Sequence, residues 1–148
     1  MTSAFAWYVI FAVTLQWLLR LFGAFWIFGG FLVFQEARQA IFIDDALEAL
    51  TQEPEDRLVS RFLLLGSILT ILSGACLVLA SRWVFLPLSL LILSQMVYFA
   101  LQRQRYQRAQ TAEEREAALV SPETVNAFKV CWVVALASGL GWVMGALR

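Results

Sequence analysis

The chain has 148 residues, 61% of them hydrophobic and 15% charged, with 11 basic and 11 acidic side chains and no histidine. A net charge of zero offers no basic field for nucleic acid, and the missing imidazoles exclude histidine-ligated haem, His-based zinc sites and the commonest general base. A mean hydropathy of +0.73 lies far from the soluble balance and predicts a single all-α domain dissolved in a bilayer.

The first 35 residues carry one charge, Arg20, before Glu36. They lack the basic start and small-residue cleavage site of a signal peptide, so retention is expected. A helix needs only about 20 residues to cross a ~30 Å hydrocarbon core. Helix one is therefore expected over about 10–35, with its buried part starting near Gln16. Trp7, Tyr8 and Phe11 form an aromatic extension that prolongs the helix, lies in the interface, or contacts another subunit. Arg20 falls within snorkelling reach of water.

Past Glu36 the helical period continues into a polar stretch. Ala40, Ile43, Leu47 and Leu50 share one face, while Asp44, Asp45 and Glu48 lie away from it. This is an amphipathic extension leaving the membrane, ended by the break around Pro54. Six acids and no base lie between Asp44 and Asp56. Their spacing matches no calcium loop, so a solvated or ion-paired face is expected rather than a metal site. The basic exit of helix three, Arg103, Arg105 and Arg108, is the expected partner.

Two uncharged segments follow, from Phe62 to Ser81 and from Trp83 to Gln102, separated by Arg82. Each is long enough to span, and the short connection makes them an antiparallel hairpin: helix two over about 57–81, helix three over about 85–108. Pro87 is expected in the first turn of helix three, where its missing N–H does no harm. Thr111 and Glu114 have the capping-box spacing of a short helix. Ser121, Pro122 and Glu123 supply a hydroxyl cap, a proline at N1 and an acid at the positive end of the dipole. Helix four follows, over about 122–147.

Four crossings put both termini on one side. Arg38, Arg57, Arg61, Arg103, Arg105, Arg108, Arg115 and Lys129 lie on the other, which the positive-inside rule assigns to the cytoplasm. The expected setting is a bacterial inner membrane, with the termini outside and the charged loops, including the amphipathic extension, cytoplasmic.

Chemistry-bearing groups are sparse. No acid precedes Glu36 in helix one or occurs in the other uncharged spans, whereas proton-coupled exporters usually hold an intramembrane carboxylate. Cys76 and Cys131 differ in expected depth by about 20 Å, too far for a disulfide. Thr70, Gln95 and Ser138 fall at a common depth of about 10–12 Å below the loop-side boundary. They form a candidate polar layer, either bonding helices together or binding a ligand. Folding the hairpin about Arg82 sets Thr70 opposite Gln95 and Ser67 opposite Tyr98, with a slip of a few residues if Pro87 delays helix three. Gly66, Thr70 and Gly74 line one face of helix two, and Ala137, Gly141 and Gly145 one face of helix four. These two rows are expected to pack against each other, or helix four to self-associate.

With no activated nucleophile or base, no cofactor and no metal cluster expected, the chain reads as a noncatalytic accessory or scaffold subunit of a larger membrane complex. Its partners would be lipid and other membrane subunits, met through the N-terminal aromatic segment and helix one. The other reading is a small oligomeric transporter or channel built around the polar layer.

Overall fold

The computed structural model describes residues 2–51 and 57–147, with side chains from residue 6 onward. Pro54 and the acids Glu53, Glu55 and Asp56 lie outside the described residues. The elements are α1 (Thr2–Thr51), α2 (Leu58–Val78), a 3-10 turn (Arg82–Val84), α3 (Phe85–Arg108), α4 (Ala112–Ala117) and α5 (Pro122–Val143). The described residues are all helical apart from short connections. Four of the helices are long and apolar enough to cross a membrane, which makes the chain a multi-pass membrane protein by length and composition.

The helix ends follow the local chemistry. Thr111 and Glu114 form a reciprocal capping box at the start of α4. Ser121 accepts from the Thr124 N–H, with Pro122 in the first turn of α5. α2 ends when Ala80 turns left-handed at φ 51°, letting the Ser81 N–H reach back to the Cys76 carbonyl. Ser81 then caps the 3-10 turn, and Pro87 sits in the first turn of α3. α5 ends in the same way at Gly145, φ 72°, and the reversal tucks Leu147 into the core.

α1 is one uninterrupted helix of 50 residues, so the aromatic extension prolongs it and the amphipathic extension continues it. It packs antiparallel along α2. Gly23 lies against the backbone of Gly74 and Val78, Trp26 Nε1 donates to Ser73 Oγ at 3.0 Å, and Gly30 lies against Ile71. The ladder continues to the Asp44–Ser60 hydrogen bond at 2.8 Å. The part of α1 beside α2 therefore begins near Gly23. Residues before Leu19 run on past the α2–α3 turn, where Tyr8 donates to the Met144 carbonyl at the end of α5. Arg20, near this level, lies over Trp17 at 5.6 Å, and its buried Nε has no acceptor.

α2 packs between α1 and α3, while α5 packs on α3 and, at its far end, on α1; α2 and α5 are diagonal. The main core forms in the half nearest the termini, where Leu19, Leu77, Val84, Leu88, Val134 and Leu147 meet. A smaller cluster, Leu69, Leu91 and Cys131, lies toward the charged loops. Each helix is long enough to satisfy its own backbone, so small residues and a few side-chain bonds decide how closely the helices approach.

The described acids of the extension, Asp44, Asp45 and Glu48, dock on the start of α2; Glu53, Glu55 and Asp56 of the same segment lie outside the described residues. Asp45 and Glu48 pair with Arg57, and Asp44 bonds Ser60, all at the start of α2. With its acids turned inward, the extension shows its apolar side outward: Phe42, Ile43 and Leu50 are 74%, 55% and 82% exposed.

Candidate functional site

On the terminal side, α1 meets α5 where Leu19 fills the space above Gly141. Toward the charged loops the two helices become opposite walls of a cleft of about 490 Å³, to which α2 and α3 also contribute. Phe25, Trp26, Phe62 and Tyr98 supply its aromatic walls; Gly29, Gly30 and Gly66 widen it by having no side chain. Leu91 and Cys131 belong both to the cleft and to the smaller core cluster.

Thr70 and Gln95 come together as lining residues of this cleft, but they are not bonded to each other. The Thr70 hydroxyl donates to the Gly66 carbonyl of its own helix at 2.8 Å, the usual retreat of a hydroxyl in an apolar setting. Ser67 and Ser94 likewise donate to Leu64 and Leu91. Gln95 is different. Its amide lies beside the Cys131 thiol, while its Oε1 is sealed from solvent and has no hydrogen-bond partner.

Ser138 does not join them. It is fully buried, outside the cleft, and its hydroxyl also lacks a partner. Cys131, seven residues nearer the charged loops on α5, is what faces Gln95. The equal-depth expectation took each helix's apolar boundary as a common plane, whereas α5 is offset along its axis relative to α3. The hairpin register is offset too. Phe62 meets Tyr98, with ring centroids 5.5 Å apart, in the place expected of Ser67. The 3-10 turn before α3 consumes the intervening residues.

The small-residue rows also resolve differently. Gly74 faces Gly23 of α1, and Gly141 faces Leu19 of α1, so the rows of α2 and α5 do not meet. Gly66 has only Leu91 near it, at 4.0 Å. Gly145 lies beyond the helix as its left-handed cap. Ala137 packs on the main core. The residues that sequence reasoning missed are Gly23 and Gly30. Their seven-residue spacing puts them on one helical face, a signal legible in the sequence.

The register of α1 on α2 also moves Glu36. Six residues past Gly30 and eight before Asp44, it stands near the level of Gly66. That is about one helical turn, roughly 6 Å, inside Phe62, where the uncharged segment of α2 begins. Glu36 lines the cleft, as does Glu123 from the first turn of α5; neither forms an ion pair or hydrogen bond among the described residues. No arginine or lysine among the described residues lines the cleft. Among the described residues no cluster of histidine, cysteine, aspartate or glutamate could hold a metal ion, and Cys76 and Cys131 are free thiols. No protein-family profile matches the chain, and no curated protein or solved structure matches it.

Proposed function

We propose that this protein is a noncatalytic accessory or scaffold subunit of a larger membrane complex, held to its partner through α1. The observation that carries this reading is the length of apolar surface on that helix. Large apolar side chains are exposed from Trp7 to Leu50, a rise of about 65 Å, whereas a bilayer with its headgroups is about 40–45 Å thick. Tilt does not absorb the excess. The uncharged run from residue 2 to 35, apart from Arg20, is about 50 Å long, and fitting it into ~30 Å of hydrocarbon needs a tilt above about 50°, beyond the usual range of 0–40°. Exposed apolar surface outside lipid marks a protein contact.

The basic asymmetry of the loops supports a bacterial inner membrane with the termini outside and the loops in the cytoplasm. In that orientation Phe42, Ile43 and Leu50 present a cytoplasmic docking face, while Trp7 and Phe11 present an external one. Mild-detergent extraction followed by native mass determination tests the proposal. A heteromeric assembly is expected, and Phe42→Glu with Leu50→Glu should release the partner while leaving this chain folded. Recovery solely as a monomer or homo-oligomer would overturn it.

A second reading, a small transporter or channel, is favoured by the cleft, since it gathers Thr70 and Gln95 within the helix bundle. Flux in proteoliposomes containing the chain alone would select that reading.

A further inference from the structure

The polar chemistry of the cleft has one sign. Its acidic lining residues are Glu36 and Glu123, and among the described residues no basic side chain lines it. The neutral hydroxyls of Ser67, Thr70 and Ser94 are committed to carbonyls of their own helices. The one uncommitted amide atom, Gln95 Oε1, can only accept. Among the described residues no basic side chain faces a bound anion, and the positive end of the α5 dipole already has Glu123 beside it. Neither Glu36 nor Glu123 has a hydrogen bond or ion pair among those residues that a cation would have to break. The rest of the lining is largely apolar, with Trp26, Phe62 and Tyr98 among its aromatic residues, a residue type that attracts positive charge. At about 490 Å³ the cleft falls in the size range of small-molecule sites.

We infer that this four-helix cleft binds a lipophilic organic cation, its charge at the Glu36–Glu123 end and its apolar body against Trp26, Phe62 and Tyr98. A hydrated metal ion does not fit, because the aromatic walls would strip its water without replacing the lost ligands. A zwitterionic phospholipid does not fit either: the phosphate beside its ammonium would meet the same two carboxylates. The inference concerns binding alone and stands independently of the docking of α1.

Tetraphenylphosphonium and tetraphenylborate, near-identical in shape and opposite in charge, provide the test. Binding to purified full-length protein in neutral detergent is measured by equilibrium dialysis, with quenching of tryptophan fluorescence as a second readout. Saturable, one-to-one binding of the phosphonium is expected, with the borate at least tenfold weaker. Glu36→Gln combined with Glu123→Gln should weaken phosphonium binding tenfold or more while the protein stays folded. Among the described residues neither carboxylate has a hydrogen bond or ion pair to lose, and Glu123 gives up only its place at the positive end of α5. Comparable affinity for the two ions would overturn the inference, as would a smaller loss in the double variant or displacement of the phosphonium by phosphatidylethanolamine. If the double variant melts lower than the parent, Glu36→Asp with Glu123→Asp replaces it: retained preference for the phosphonium supports the site, and its loss overturns it.

Discussion

Gly74→Ala should destabilise the bundle, although alanine is the better helix former. The new Cβ would stand 2.8 Å from the Gly23 carbonyl oxygen, 2.8 Å from Ile27 Cγ1 and 3.0 Å from the Ile27 nitrogen, where ordinary contact begins at 3.4 Å. The Ile27 side chain can rotate away, but the two backbone atoms move only if α1 moves as a body by about half an ångström. α1 is tied to α2 at the Trp26–Ser73 and Asp44–Ser60 bonds, so that shift loosens packing along the whole seam. Overpacking of this kind costs about 1–3 kcal/mol, and the helix-propensity gain of about 1 kcal/mol offsets part of it. A net loss of up to about 2 kcal/mol, and a deficit of about 1–3 kcal/mol relative to an unobstructed glycine-to-alanine change, is expected in equilibrium unfolding by denaturing detergent, followed by tryptophan fluorescence. Gly139→Ala is the control: it meets nothing within 4 Å and should be neutral or slightly stabilising. Gly23→Ala should resemble Gly74→Ala, and the double variant should cost less than the sum, because one separation of the helices accommodates both methyls. A Gly74→Ala protein as stable as Gly139→Ala would refute the close backbone contact.

Three further outcomes follow from the same geometry. Ser73→Ala strands the Trp26 indole N–H and should cost about 1 kcal/mol in the same unfolding assay, with a shift in tryptophan emission. Gln95→Leu should leave stability within about 1 kcal/mol of the parent and leave assembly intact, because its Oε1 has no protein partner to lose. With Cys76 and Cys131 replaced, a membrane-impermeant thiol reagent should label Arg82→Cys in intact cells and Gln110→Cys only after lysis; the reverse pattern would invert the proposed orientation.

Much of the helical content was legible because its signals are local. Long uncharged runs specify helices long enough to span, and Thr111, Glu114, Ser121 and Pro122 specify caps by spacing alone. What the sequence left open was the axial offset between helices. Taking Glu36 and Phe62 as a shared boundary is natural when each helix is read alone, yet the Gly23–Gly74 and Asp44–Ser60 contacts slide α1 along α2 by about a turn. That slide carries Glu36 into the cleft. The left-handed residue at 80 and the 3-10 turn that follows shift Tyr98 from Ser67 to Phe62 in the same way. Small residues were recognisable as contact points, but their partners depend on which helices are adjacent and which diagonal. In a bundle of four, hydropathy does not fix that order.

The docking role of α1 is tested most directly by photo-crosslinking in native membranes. A photoreactive amino acid is introduced singly at Phe42, Leu50 or Ala37, and the adducts are identified by mass. Phe42 and Leu50 face outward beyond the expected hydrocarbon core, whereas Ala37 is fully buried. The account predicts adducts with a second, different polypeptide at Phe42 and Leu50, and only intrachain adducts at Ala37. Adducts at Phe42 and Leu50 with lipid or another copy of the chain alone would contradict it.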